Sequence, residues 1–226
     1  MHHWPLNEPS GNAKDTLYGP AGPADGVDTN TVTSAVGPSA NIPLARQFTA
    51  ASSEKFTVSD RNDVEMGIRE RGFSISVWVY ADAIGALMGI AAKDSGTGGT
   101  RSWKLYALAT NVFQFAIEDG SNIISGLNSV ATISATTWYH VVIVCDHTRY
   151  KFYINGVAEP TNSQGSVVPW GNSTAVFQIG QDLAAGAGRF WNGRIAQVTT
   201  WHRALTSDEV HWLYNNGRGR DLSRWV

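Results

Sequence analysis

The sequence contains a single cysteine, Cys145, in a chain of 226 residues. An internal disulfide is therefore excluded, so stability must come from packing, and the redox compartment stays open. Cys145 ends the apolar run VVIVC and shares a strand face with Val141 and Ile143. We therefore predict a buried core cysteine, not a thiol nucleophile activated by His140 or His147.

Charged residues are also scarce, at 16% of the chain, and neither sign dominates. Lysine and arginine total 17 against 19 for aspartate and glutamate, and no basic run could follow a phosphate backbone. No apolar run approaches the ~20 residues that span a bilayer, and the start MHHWPLNEPSG lacks the pattern of a signal peptide. We expect a soluble protein or mature module with no nucleic-acid partner and no membrane insertion.

Short alternating runs are what the sequence does contain. In FSISVWVY (73–80), Phe73, Ile75 and the two valines fall on one face, which is the period-2 pattern of a half-buried strand. Similar runs lie at 86–92, 103–109, 112–118, 138–145, 150–154, 175–180 and 193–201. The dipeptide Asn155-Gly156 predicts a two-residue hairpin turn. The spacing of the runs favours an all-β sandwich.

Residues 9–43 differ from the rest because they are rich in Gly, Pro, Ala, Asn and Thr. This composition excludes a helix and predicts loops with short edge strands, and we interpret it as a segment that wraps around the sandwich. Trp4 and Leu6, just before it, need a surface to pack on. Since composition does not change after residue 46 and no repeat is present, we expect one domain over residues 1–226.

The stretch WHRALTSDEVHWLYNNGRG (201–219) places histidines, acids and aromatics close together. Thr206 and Glu209 have the spacing of a capping box, which predicts a short helix from Ser207 to about Asn215 with Gly217 as its left-handed cap. A zinc protease would need two histidines four residues apart around a glutamate, and these histidines are nine apart. The pattern therefore favours the end of a fold over a metal or catalytic cluster.

Three segments make the chain resemble a known family: FSISVWVYAD (73–82), residues 136–157 and residues 190–210. WPLNEPSGNAKD (4–15) adds an opening strand and a Gly-rich loop with an aspartate. The chain is similar to the laminin-G-like and pentraxin-like branch of the concanavalin A-like lectin/glucanase superfamily. The resemblance implies a jelly-roll β-sandwich of two antiparallel sheets with one short C-terminal helix, and it leaves the function open because this fold carries many functions.

A glucanase of this superfamily would need two carboxylates aimed from one strand, typically in a Glu-x-Asp-x-x-Glu motif. The sequence has no such motif. The nearest acids, Glu65 to Glu70 and the pair Glu118-Asp119, lack the alternation that would place two carboxylates on one strand face. We therefore expect no catalytic residue and no enzyme activity.

Calcium is the cofactor that the resemblance implies, held by loop carboxylates and carbonyls. Asp15 matches the aspartate of the opening loop that often ligates, and Glu118 and Asp119 are further loop candidates. In the last strand, however, Ala196-Gln197 stand where many relatives carry an acidic pair. We therefore expect calcium to bind weakly if it binds at all.

Four aromatic residues are expected at loop edges beside Gly, Asn and Asp residues, the mix that a lectin uses to stack a sugar ring and bond its hydroxyls. They are Trp103, Trp170, Phe190 and Trp191. The alternative is that these rings only close the open ends of the sandwich, and with nine tryptophans in the chain that alternative suits most of them.

These observations favour a non-catalytic, lectin-like recognition or adhesion module on a cell exterior or a virus particle, with a glycan or protein surface as partner. The alternative is a structural protein of a phage virion, a capsid decoration or tail protein, whose partners are capsid proteins or copies of itself. A glycoside hydrolase is the third and least favoured hypothesis.

Overall fold

The computed structural model of the chain describes residues 1–61, 72–94, 102–118, 123–146, 149–163, 173–184 and 187–222. Its strands are β1 His2–Trp4, β2 Val27–Thr29, β3 Thr33–Ser39, β4 Ile42–Phe48, β5 Lys55–Val58, β6 Phe73–Ala81, β7 Met88–Lys93, β8 Trp103–Ala107, β9 Val112–Glu118, β10 Ile123–Thr132, β11 Trp138–Cys145, β12 Tyr150–Ile154, β13 Val157–Ser163, β14 Phe177–Ile179, β15 Gln181–Ala184, β16 Ala187–Phe190 and β17 Gly193–Trp201. The α-helix is α1, Ser207–Tyr214.

The strands form two large sheets and one separate hairpin. The eight-stranded sheet has the order β13-β12-β11-β6-β17-β4-β3, with β1 pairing beside β17, and the seven-stranded sheet has the order β10-β9-β8-β7-β14-β5-β2. The hairpin consists of β15 and β16. All of the described pairs of named strands are antiparallel. The predicted all-β jelly-roll sandwich with one short helix is therefore confirmed.

Alternation along each strand places the core between the two sheets. On β6, Phe73, Ile75, Val77 and Val79 are all buried in the main core cluster, as the pattern predicted. Cys145 belongs to the same cluster and is fully buried, which confirms its predicted core position. One face of each sheet is thus committed to packing, and any recognition surface must lie on an outer face or at an edge.

The Gly/Pro-rich segment contributes an edge strand to each sheet, since β2 ends the seven-stranded sheet and β3 ends the eight-stranded one. Arg46 on β4 holds this segment in place. Its buried guanidinium donates to the carbonyls of Gly11 and Val32 and lies 3.5 Å from the Asp28 carboxylate. Because separate parts of the segment bond to one buried cation, the segment is held against the sandwich even where it forms no strand.

The C-terminal helix has the predicted capping box. Glu209 N donates to Thr206 Oγ1 at 3.2 Å, and Thr206 N donates to Glu209 Oε2 at 2.9 Å. The predicted cap at Gly217 is wrong, because α1 ends at Tyr214 and Asn215 adopts the left-handed conformation with φ 50°. Asparagine tolerates this conformation well enough to replace glycine at a helix end.

Helix α1 covers part of the outer face of the eight-stranded sheet. Its Val210 and Leu213 form an apolar cluster with Val142 and Val144 of β11 and with Tyr153 of β12. No helix in the described part of the chain has the length and hydropathy needed to cross a bilayer.

Candidate functional site on the outer face of the seven-stranded sheet

The four aromatic residues predicted to bind a ligand lie in different environments. Trp103 begins β8 and Trp191 lies between β16 and β17, so both stand at strand ends as expected. Their predicted role in ligand binding is nevertheless wrong, because they are 1% and 0% exposed and belong to the main core cluster. Their rings pack between the sheets and offer no face to a sugar. Trp170 lies outside the described residues. Phe190, at the end of β16, is half-buried and remains the one candidate among the described three whose side chain reaches the surface.

Asp15 has a structural environment. Its buried carboxylate accepts hydrogen bonds from the amides of His3, Leu17 and Ala24 at 2.9–3.3 Å, and it lies 2.6 Å from His2 Nδ1. Burial alone would raise the pKa of Asp15, but the hydrogen bonds from His2 and from the two buried amides outweigh it and lower the pKa. The carboxylate therefore ties the N-terminal strand to the loop that follows.

The surroundings of Asp15 do not fit a calcium ion. Both carboxylate oxygens already accept protein hydrogen bonds, and Ala196-Gln197 bring no charge to β17. Gln197 donates its backbone amide to Pro5 O at 3.0 Å instead. The other predicted ligands are untested, because the side chain of Glu118 and the whole of Asp119 lie outside the described part. Within that part, no three His, Cys, Asp or Glu side chains are grouped as a metal site requires.

The β15–β16 hairpin packs on the outer face of the seven-stranded sheet, above β7. Gly89 permits this close approach, because a Cβ there would lie 2.0 Å from the backbone nitrogen of Asp182. The Asp182 carboxylate is fully buried and lies 3.3 Å from the Arg189 guanidinium on the opposite hairpin strand. The hairpin thus holds one arginine over the sheet by a partly buried ion pair.

A continuous chain of polar side chains crosses the sheet from this arginine. The Arg189 guanidinium carbon lies 5.8 Å from the centroid of the Tyr106 ring on β8. The Tyr106 hydroxyl donates to Gln114 Oε1 on β9, and Gln114 Nε2 donates to Asn128 Oδ1 on β10. Strand register explains the order, since Tyr106 is paired with Gln114 and Gln114 with Asn128. We call Arg189, Tyr106, Gln114 and Asn128 the polar row.

Two of the three residues beside the polar row are small. Ala116 follows Gln114 on the same face of β9, and it is paired with the exposed Gly126 on β10. Lys104, paired with Ala116 from β8, is buried and lies 3.6 Å from the Asp94 carboxylate. Gly126 leaves this strip of the sheet open at its β10 edge, whereas Ala116 and Lys104 are covered.

The hairpin also carries Phe190 to this face. Lys55 Nζ on β5 donates to Gln181 Oε1 at 2.7 Å and lies 6.0 Å from the centroid of the Phe190 ring. Burial lowers the pKa of Lys55. We call the polar row together with Lys55 and Phe190 the hairpin face. It combines guanidinium, ammonium, amide and aromatic groups, which suits hydrogen bonding to hydroxyls and stacking on an apolar ring face.

Sequence reasoning found Phe190 and missed the other members of the hairpin face. Alternation on β8 and β9 carried a signal, because Tyr106 and Gln114 fall between core residues and must point outward. No local pattern could show that they bond to each other, since that depends on the register of three strands.

The class of protein that these features define is a two-sheet jelly roll with a polar outer face. A laminin G family model of the concanavalin A-like lectin/glucanase superfamily matches residues 50–211. The chain therefore belongs to this family, as the sequence resemblance predicted. No curated protein matches the sequence.

Solved structures with the same fold include toxin and carbohydrate-binding domains. The binding domain of Paraclostridial Mosquitocidal Protein 1 superposes with a TM-score of 0.65 at 18% identity, over 84% of this chain and 46% of that one. The binding domain of botulinum neurotoxin DC, in complex with rat synaptotagmin II, superposes with a TM-score of 0.66 at 13% identity, over 98% and 55%. Domain 4 of an extracellular arabinanase from Geobacillus stearothermophilus, in complex with arabinotriose, gives 0.56 at 18%, over 81% of each.

These similarities establish the fold. The chain spans about half the length of the toxin binding domains that it matches, at 46% and 55%. Synaptotagmin II and arabinotriose are ligands of those proteins, and the shared fold alone does not make them ligands of this one.

Proposed function

We propose that this protein is a non-catalytic recognition module that binds glycans through the hairpin face. The observation that carries the proposal is the polar row, a chain of side chains in contact across β8, β9 and β10 that runs from the buried Tyr106 to the exposed Asn128. Buried or half-buried polar groups that do not close a core are candidates for ligand contact. The arabinotriose complex of a domain with the same fold adds support by analogy.

The environment of the described carboxylates on this face supports the non-catalytic part of the proposal. Asp182 is ion-paired with Arg189, and Asp94 lies near Lys104. A glycosidase needs one carboxyl group that keeps its proton, which an adjacent cation disfavours. Recognition of hydroxyls needs only fixed donors and acceptors, and the row provides these.

The test compares wild type with a Gln114→Ala/Asn128→Ala double variant on a glycan array, followed by calorimetry on the best ligand. We expect the double variant to lose at least about tenfold in affinity, since each lost hydrogen bond contributes roughly 0.5–1.5 kcal/mol. Gln47→Ala is the matched control, because it removes an amide from the eight-stranded sheet. Equal affinity in the double variant would exclude the polar row, and hydrolysis of any bound glycan by wild type would contradict the non-catalytic assignment.

A second candidate function is assembly through the Gly/Pro-rich segment, as in a capsid decoration or tail protein. It is favoured by three large apolar side chains there, Tyr18, Val27 and Val36, which are 54%, 54% and 71% exposed. Exposed apolar groups of this kind are typical of protein contacts when they are contiguous. Sedimentation velocity of wild type and of a Tyr18→Ser/Val36→Ser variant tests this function. Self-association of the wild type that is absent in the variant supports assembly, and a wild type that is monomeric like the variant contradicts self-assembly.

Either function places the module on a surface that is exposed to partners, on a cell exterior or a virus particle. Mass spectrometry of purified particles and of the extracellular fraction separates these locations. Absence of the protein from both samples would contradict both locations.

A further inference from the structure

A cleft beside α1 lies apart from the hairpin face. Its volume is about 120 Å³. The lining residues come from β17, α1 and the segments next to them: Met1, Trp201, Arg203, Leu205, Glu209, Trp212, Leu213 and Leu222. We call these residues the helix cleft. All of them are apolar except Arg203 and Glu209, so the cleft has an aromatic and aliphatic wall with charges on one side.

Trp212 is the most exposed tryptophan in the described part of the chain, at 39%. Trp201, on β17, is only 7% exposed. Arg220 fixes the position of Trp212: its guanidinium carbon lies 4.3 Å from the ring centroid, and its Nε donates to Trp212 O at 2.8 Å. Arg220 is not one of the residues that line the helix cleft. The indole is therefore supported by a cation and still borders the cleft, an arrangement that folding does not require of a helix surface residue.

Arg203 and Glu209 form a bidentate ion pair. Arg203 Nη1 lies 2.8 Å from Glu209 Oε2, and Nη2 lies 2.7 Å from Oε1. The hydrogen bonds from Arg203 hold the pKa of Glu209 at about 2, so the carboxylate stays ionised at physiological pH. The capping box holds Glu209 from the other side through Thr206. Both partners remain partly exposed, so the pair presents donors and acceptors in fixed positions.

We propose that the helix cleft binds a single sugar ring, the terminal residue of a glycan. The apolar face of the ring packs on Trp212, and neighbouring hydroxyls bond to the Arg203–Glu209 pair, one donating to the carboxylate and one accepting from the guanidinium. Stacking on an aromatic ring next to a few fixed polar groups is the chemistry that a polyhydroxylated ring requires. The volume excludes a ligand of more than one ring, because sites for larger ligands occupy roughly 300–1,000 Å³.

This inference rests on the proposed glycan-recognition function and adds a second site to it. Helix α1 covers the outer face of the eight-stranded sheet, whereas the hairpin face lies outside the seven-stranded sheet. The two sites therefore occupy opposite sides of the sandwich. A module with two such sites bridges glycan chains, and its avidity for a multivalent surface exceeds its affinity for a single sugar.

Indole NMR signals of the full chain test the site directly. The Trp212 signal is assigned from its loss in Trp212→Phe, and methyl glycosides of glucose, galactose, mannose, arabinose and N-acetylglucosamine are added at millimolar concentrations. We expect at least one glycoside to shift the Trp212 signal. Glu209→Gln keeps an N3 side chain that can complete the capping box but removes the charge, so it should weaken this binding about tenfold while the loss of the exposed ion pair lowers the melting temperature only slightly.

A Gln114→Ala/Asn128→Ala variant is the matched control, because it should leave the Trp212 shift unchanged. Because bridging of glycan-coated beads needs both sites, this double variant and Trp212→Ala should each fail to bridge them. If glycans bind and only the hairpin-face variant loses them, while no glycoside shifts Trp212, the helix-cleft proposal is overturned and the proposed function stands. A Trp212 shift caused by the apolar dye anilinonaphthalene sulfonate and by no glycoside also overturns it, and assigns the cleft to apolar side chains of a protein partner.

Discussion

The outer faces of the two sheets are covered by opposite chemistry. On the eight-stranded sheet, α1 buries an apolar cluster that includes Val142, Val210 and Leu213. On the seven-stranded sheet, the β15–β16 hairpin covers the face with an ion pair between Asp182 and Arg189 and with the row that follows it.

This difference separates stability from recognition. Burying apolar area contributes roughly 25 cal/mol per Å², whereas exchanging water for protein hydrogen bonds contributes little net free energy. Substitutions on the helix side should therefore lower the free energy of unfolding most. Substitutions on the hairpin side should change it little and should affect ligand binding more. The helix cleft departs from this division, because there an exposed indole and an ion pair stand at the rim of an apolar cluster.

Acid should produce the largest effect, and it should act on the eight-stranded side. Burial lowers the pKa of His3 to about 4, against the opposing influence of Asp221 and Asp15, and burial lowers that of His140 to about 3, both from 6.5. Below pH 6.5 the unfolded chain then binds more protons than the folded one, so stability falls with pH by up to about 1.4 kcal/mol per unit for each histidine. The loss should extend to about pH 4 for His3 and about pH 3 for His140.

Urea unfolding from pH 7 to pH 4 measures this slope. His140→Gln should flatten it by about 1.4 kcal/mol per pH unit, whatever its effect on stability at pH 7. His140 packs against both Trp78 and Tyr214, whose ring centroids lie 4.9 Å and 6.0 Å from its own, and its Nε2 lies 2.8 Å from the Ser76 hydroxyl. None of these three residues is a carboxylate, so none of them would stabilise a charged His140. A slope that the substitution leaves unchanged would show that His140 does not titrate in this range.

Trp201→Ala should have the next largest effect, a loss of about 3 kcal/mol. Trp201 is 7% exposed and packs with Leu205 and Val210 under α1, so truncation leaves a cavity that the neighbours fill only in part. Gln114→Ala on the hairpin face is the comparison, and it should cost less than about 1 kcal/mol. Chemical unfolding measures both, and equal losses would contradict the division between the two faces.

Thr206→Ala should cost about 1 kcal/mol, because it removes the acceptor of the Glu209 amide at the helix N-terminus. Thr206→Ser keeps the hydroxyl and should retain most of the stability. Thermal melts of both variants decide the point. A serine variant as unstable as the alanine variant would mean that the methyl group of Thr206, and not its hydroxyl, stabilises the helix.

Strand positions could be predicted from the sequence wherever alternation was strong. The runs at 112–118, 138–145, 150–154 and 193–201 coincide with β9, β11, β12 and β17. Strand β10 was missed, because IISGLNSVAT contains Gly and Asn, which have low strand propensity. Pairing with β9 overrides that propensity. Strand β13, VAEPTNS, was indicated only by the Asn155-Gly156 turn before it, which the pairing of Ile154 with Val157 confirms as a hairpin.

The candidate site was harder to predict, for a physical reason. Trp103 was predicted to bind a ligand because it stands at the edge of a loop, although its alternation with Leu105 and Ala107 indicated a core face. Tyr106, Gln114 and the hairpin come together only through strand register and through the space left by Gly89. Such contacts are non-local, so composition and periodicity do not reveal them.

Calcium should have the smallest effect. A ligand that binds only the folded state stabilises it by RT ln(1 + [L]/Kd), so a tight site would raise the melting temperature in millimolar calcium, and chelator would reverse the rise. We expect little or no shift, because the Asp15 oxygens accept hydrogen bonds from His3 and Ala24 and because Ala196-Gln197 add no charge. Asp15→Asn should be destabilising with or without calcium, since the amide loses the charge that faces His2. A large, chelator-reversible shift that survives in Asp15→Asn would place a calcium site elsewhere, and the loop at Glu118-Asp119 would be the first segment to substitute.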